Sequence, residues 1–142
     1  MAQVDFYVLA ASGEQARWHF ACRLTEKAYR LEHRVQILAD DRVQAERLDE
    51  LLWTWRDGSF VPHGVAGTDA ANEAPVVITA DPDWAAEGFD LLVNLSHGLP
   101  AAANAFPRVA EIVTSDDDTR QRSRSRYASY RDLGHALDTH KL

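Results

Sequence analysis

The segment Phe89-Asp90-Leu91-Leu92-Val93-Asn94-Leu95 is a nearly continuous apolar run, as expected of a β-strand covered on both faces. Other strand-like stretches surround it: Val4–Val8, Val35–Leu38, Val76–Ile78 and Val109–Val113. Between them the apolar period changes to that of helices. Ala16, Phe20, Leu24, Ala28 and Leu31 recur at three or four residues and predict one buried face of a helix over Glu14–His33. Ser12 and Gln15 have the spacing of a capping box for it. Asp40 or Asp41 is placed to cap a second helix, with Val43, Leu48, Leu51, Leu52 and Trp55 as its apolar side. A short helix is expected around Ala101–Phe106. A last helix begins at Asp116-Asp117-Asp118, where negative charge favours a helix start, and runs to about Leu133 with Gly134 as its C-terminal cap. Phe60–Gly64 reads as an extended, proline-interrupted stretch and residues 66–74 as a loop. Strands alternating with helices specify a three-layer α/β domain, its sheet mostly parallel and its helices on both faces. Residues 1–142 are expected to form a single domain.

Length and composition agree with that architecture: 142 residues, 46% hydrophobic and 26% charged, are enough for a core without metal or disulfide. Cys22 is the single cysteine; in a helical pattern beside Phe20 and Leu24 it reads as a buried apolar residue. No basic-then-apolar segment opens the chain, and no apolar run approaches the roughly 20 residues of a membrane span. A cytoplasmic protein is expected. The net charge of −7 is unevenly divided. Residues 1–118 carry nine Lys/Arg against 20 Asp/Glu, whereas residues 119–142 carry six against two. An acidic body argues against broad nucleic-acid binding, and a basic end against an acidic body suggests a local anionic partner.

The first strand–helix junction, Leu9-Ala10-Ala11-Ser12-Gly13-Glu14, is where a nucleotide-binding fold would cradle phosphate. It has one glycine, lacks both G-x-G-x-x-G and G-x-x-x-x-G-K-[ST], and places a carboxylate in the first helical turn. The six histidines are scattered, without paired ligand spacing. Ser96 and His97 could suggest nucleophile and base, but adjacent residues at a strand end point to opposite faces. No cofactor, metal or catalytic residue is expected.

The last helix is unusual. At about 100° per residue, Arg120, Arg124, Tyr127 and Arg131 fall on one stripe, with Arg122, Arg126 and Tyr130 on another side. Arginine forks bind carboxylates and aromatic faces stack beside them, so the stripe suits a carboxylate-bearing, partly aromatic ligand. It also suits a solvated face whose arginines pair with Asp116–Asp118. A second cluster, Trp53, Trp55, Phe60, Val61 and Pro62, reads either as core or as an exposed anchor patch.

Five blocks carry a resemblance in order along the chain: Asp5-Phe6-Tyr7-Val8-Leu9; Leu48-Asp49-Glu50-Leu51-Leu52-Trp53; Ser59 to Gly67; Pro75-Val76-Val77-Ile78; and Arg126-Tyr127-Ala128-Ser129-Tyr130-Arg131. Together they resemble the bacterial DNA polymerase III chi subunit family over the whole chain. The resemblance implies a mononucleotide-binding-like fold without a phosphate loop, and no catalysis. It implies a site for the acidic, phenylalanine-ended C-terminal tail of single-stranded DNA-binding protein at Val113, Arg120, Arg124, Tyr127 and Gly134, with Arg131 one turn further along the same stripe. It implies a second face, at Trp53, Phe60, Val61 and Pro62, for a psi-like clamp-loader subunit or a helicase. Ala128 departs from the family pattern, which often has lysine there.

Two other readings compete with this adaptor. One is a small α/β nucleotide-binding enzyme with its cleft at the strand C-termini, near Ala10–Gly13 and Ser96–Gly98. The other is direct single-strand binding through the Arg/Tyr helix, disfavoured by the net charge; in the adaptor, nucleic acid is met only indirectly or weakly. No membrane partner is expected.

Overall fold

The computed structural model describes residues 1–85 and 87–142. Its strands are β1 (Gln3–Val8), β2 (Val35–Leu38), β3 (His63–Val65), β4 (Val76–Thr79), β5 (Leu91–Asn94), β6 (Arg108–Val113) and β7 (Ala136–Lys141). Its helices are α1 (Glu14–Arg30), α2 (Arg42–Thr54) and α3 (Asp117–Asp132), with a 3-10 turn at Ala101–Ala105. The seven strands form one sheet in the order β3-β4-β2-β5-β6-β1-β7, and every pairing is parallel.

Alternation along each strand sends side chains to two layers. Val35, Ile37, Val76, Ile78, Val93, Ala110 and Ile112 face α1 and α2. Val4, Phe6, Leu38, Val77, Leu92, Val109 and Val113 face the layer that contains Tyr130 of α3. The three-layer α/β reading therefore holds.

Four local expectations need correction. Of the expected face of α1, Ala16, Phe20, Leu24, Ala28 and Leu31, Ala28 is buried and Phe20 and Leu24 pack against the core, but Leu31 is not buried, and the fully buried side is Arg17, Ala21, Cys22, Thr25, Glu26 and Ala28. Small side chains let the helix sit close to the sheet, and the larger ones are turned toward its flank: Phe20 and Leu24 are half-buried and Leu31 is exposed. Helix α1 also ends at Arg30 rather than His33, where Glu32 takes a positive φ of 65°. Its N-cap is Gly13 (φ 92°) with no side-chain cap, not Ser12. Finally, β7 is a strand that the sequence left unassigned, and β3 begins inside the Phe60–Gly64 stretch that it read only as extended.

Strand β3 depends on Gly64, where a Cβ would overlap the backbone of Ala70 and Ala71. Asp41 caps α2 as expected, its Oδ1 accepting the Gln44 N–H at 2.8 Å. The Cys22 thiol is pushed up to about 12 by burial, which fits an inert core residue. Among the described residues no helix is long and apolar enough to cross a membrane.

Candidate protein-binding faces around the last helix and the second helix

Parallel α/β sheets bind nucleotides at the C-terminal ends of their strands. Here that position is occupied by the protein itself. Arg17, one turn into α1, is turned inward and buried. Its guanidinium donates to the carbonyls of Ile112 at 3.1 Å and Leu95 at 3.2 Å, and to Glu14 Oε1 at 2.7 Å. Next to it the Gly13 N–H donates to Asp116 Oδ2 at 2.8 Å. That bond, followed by one from the Thr114 hydroxyl, holds the Asp116 carboxyl below its ordinary range. The helix N-terminus that would meet a phosphate thus meets a carboxylate. Ser96 Oγ donates to Asn94 Oδ1 at 2.6 Å, while the His97 ring pairs with Asp40. The two are engaged separately. No group of three His, Cys, Asp or Glu able to hold a metal occurs among the described residues.

Helix α3 has two sides of contrasting environment. On the inner side Glu111 of β6 is fully buried. Its Oε1 accepts from Arg126 Nε at 3.0 Å, and its Oε2 accepts from Tyr130 Oη at 2.6 Å and Asn94 Nδ2 at 2.8 Å. A buried carboxylate is tolerated only when so paired. Burial first, and the Glu111 charge second, push the Tyr130 phenol far above its ordinary range, so it stays a donor.

On the outer side Arg124, Tyr127 and Arg131 border a shallow depression of about 240 Å³ that also involves Phe6, Val8, Ser123, Ala128 and Thr139. Tyr127 is 37% exposed, and its ring lies 5.3 Å from that of Phe6, tilted by 53°. No carboxylate lines the depression. Arg120 and Arg124 make no ion pair among the described residues, so the pairing with Asp116–Asp118 that a purely solvated face would favour is absent. Arg131 reaches only Asp132, at 3.4 Å with both exposed, a geometry worth little.

The structure therefore brings Arg124, Tyr127 and Arg131 together. Arg120 lies one turn before Arg124, exposed and outside the depression. Val113 is buried beside Val8 in the sheet, and Gly134 (φ 86°) follows the end of α3; neither lines the depression. Phe6, Val8 and Thr139 were missed as lining residues. Alternation in β1 put Phe6 and Val8 on one face, but nothing linked that face to α3 before the topology was known.

The second face lies at the end of α2. Trp53 and Phe60 are 46% and 67% exposed, with ring centroids 5.6 Å apart. Buried His63 packs against Trp53. Its ring lies 4.3 Å from Trp53, and its nitrogens meet the carbonyls of Val61 at 2.6 Å and Asp49 at 2.8 Å. Pro62 is half-buried. Val61 is wholly buried in the α1/α2 layer and so is corrected from face to core, because extended backbone that turns Phe60 outward turns its neighbour inward.

A family model described as "DNA polymerase III chi subunit, HolC" matches residues 1–138. A protein of Pseudomonas aeruginosa named DNA polymerase III subunit chi is 39% identical over 143 residues, covering 100% of this chain and 98% of the relative. One of the same name from Escherichia coli is 34% identical, covering 98% of this chain and 97% of the relative. Among solved structures, T4 UvsW superposes with a TM-score of 0.67 at 6% identity, and S. cerevisiae Dbp5 bound to RNA and ADP BeF3 with 0.64 at 13%. These cover 99% and 96% of this chain but 41% of each longer one, and the likeness is one of fold.

Proposed function

The chain belongs to the DNA polymerase III chi subunit family, and we propose that it is a non-catalytic accessory subunit of the holoenzyme clamp loader that couples the polymerase to coated single-stranded DNA. In this reading the outer side of α3 holds the acidic, phenylalanine-ended C-terminal tail of single-stranded DNA-binding protein. Trp53 and Phe60 anchor a psi-like subunit or a helicase.

The observation that carries the tail reading is the composition of the α3 depression. Arg124 and Arg131 flank an exposed Tyr127 beside the side chains of Phe6 and Val8; no carboxylate lines the depression, and the only one paired with either arginine among the described residues is the exposed Asp132 beside Arg131. A terminal phenyl ring fits beside Tyr127, and tail carboxylates fit the two guanidinium groups. Charge-assisted contacts of about 1.5–3 kcal/mol each suit a modest, exchangeable interaction. Arg17 filling the strand ends speaks against the nucleotide-binding alternative.

The decisive experiment is titration of a fluorescent acidic peptide ending in phenylalanine into wild type and Arg124→Ala. Binding in roughly the micromolar range that weakens about tenfold or more in the variant and fades with salt is expected. Binding indifferent to Arg124 and to the terminal phenylalanine would overturn the reading. The second face is read separately: Trp53→Ala with Phe60→Ala is expected to abolish psi-like binding and leave the tail contact intact.

A further inference from the structure

The apolar residues Phe20, Leu24 and Leu31 of α1 border a groove of about 700 Å³ against the end of α2. Phe20, Leu24 and Leu31 line one side and Trp55 the other. From Phe20 to Leu31 the groove follows α1 for about 16 Å, some three helical turns. Its walls are tied together by buried Glu26, which pairs with Arg30 at 2.8 Å and with Arg56 beyond α2.

The charge around this groove is out of character for the body of the protein. Arg23, Lys27, Arg30 and Arg56 all line it, four of the nine Lys/Arg among residues 1–118, where 20 Asp/Glu prevail. Arg30 and Arg56 share one carboxylate, while Arg23 and Lys27, both exposed, make no ion pair among the described residues. An apolar channel with a cationic rim persists on an acidic body, and its complement is an apolar ligand carrying negative charge.

We propose that this groove docks an acidic amphipathic segment of a partner protein, separately from the α3 depression. Its large apolar side chains enter between α1 and Trp55, and its carboxylates meet Arg23 and Lys27. Single-stranded nucleic acid fits less well, because base stacking needs free ring faces. The Tyr7 ring is already stacked on His140, with centroids 5.1 Å apart at 20°, and also meets Phe20 at 5.5 Å. The Arg56 guanidinium covers Trp55, 5.4 Å from its ring centroid. The aliphatic side chains of Leu24 and Leu31 that line the groove suit the side chains of a helix laid in it.

The test uses the full chain and a labelled helical peptide with leucines on one face and glutamates on the other. Binding to wild type that falls about tenfold or more in Arg23→Glu with Lys27→Glu, and again in Leu31→Glu, is expected. All three residues are exposed, so unchanged melting temperatures should accompany the loss. Equal binding by a scrambled peptide without an apolar face would overturn the proposal. So would peptide binding unaffected by these substitutions, or tighter groove binding by oligo-dT than by the peptide. The phenylalanine-ended tail peptide, titrated into the Arg23/Lys27 variant, should keep its wild-type affinity. A parallel loss there would merge the two surfaces and overturn a separate partner, whereas failure of the tail reading alone would appear in Arg124→Ala.

Discussion

The two sides of α3 use the same residue types for opposite purposes. Arg126 and Tyr130 turn inward to a carboxylate that no solvent reaches, while Arg124, Tyr127 and Arg131, within a turn of them, turn outward to a depression without any carboxylate. Inside, the guanidinium and phenol neutralise and satisfy Glu111, and the pair fixes α3 against β6. Outside, Arg124 has no ion pair among the described residues and Arg131 has only the exposed Asp132, which leaves both guanidinium groups open to a ligand in the proposed reading. What an arginine does here is decided by what stands opposite it, not by the helix that carries it.

The largest test of this contrast is Glu111→Ala. It leaves the Arg126 charge buried and without its partner, a change that costs about 3–5 kcal/mol, and chemical denaturation should show a loss of that size. A loss under about 1 kcal/mol would mean that Arg126 escapes to solvent and that the inner side is no more fixed than the outer. A smaller test compares the two tyrosines. Tyr130→Phe removes only the 2.6 Å bond to Glu111 and should cost about 1–2 kcal/mol of stability with tail-peptide affinity unchanged. Tyr127→Ala should weaken the tail peptide about tenfold, besides whatever stability it loses with the Phe6 contact. Matching effects from both substitutions would erase the distinction between the two sides.

Much of this contrast was legible in the sequence. The period of 100° per residue separated Arg124, Tyr127 and Arg131 from Arg126 and Tyr130 without any structure. The Asp116 helix start, the end near Leu133 and the Gly134 cap follow from local chemistry, and the structure places them within a residue or so. What local pattern could not reveal was which side faces inward, because that depends on Glu111, a charged residue in the middle of an apolar strand. For α1 the expected face held only in part, at Ala28 and at half-buried Phe20 and Leu24. Phe20, Leu24 and Leu31 make the stronger apolar stripe, yet the helix buries Arg17, Ala21 and Thr25, since small side chains permit close approach to the sheet and Arg17 finds strand-end carbonyls there. Strand β7 escaped notice because an edge strand reading Ala-Leu-Asp-Thr-His-Lys has too few apolar residues to signal burial. Without β7 there was no way to place Thr139 beside Arg124 and Arg131.

The smallest expected effect sharpens the comparison most, because it adds a charge instead of removing one. Ala128 lines the depression between Arg124 and Arg131, four and three residues away. Ala128→Lys places a third cation there. Like charges at such spacings cost a helix about 0.2–0.5 kcal/mol, so stability should fall slightly. An exposed ion pair with a tail carboxylate contributes about 0.2–1 kcal/mol, so tail-peptide affinity should rise by up to about fivefold at low salt and return toward wild type as salt screens it. On a surface that serves only the fold, the same lysine would bring the cost without the gain. A variant destabilised by a few tenths of a kcal/mol with unchanged affinity would mean that the tail carboxylates do not reach Ala128, leaving Arg131 to supply the contact. A gain in affinity alongside that cost is the signature of a face whose unpaired charge is held for a partner.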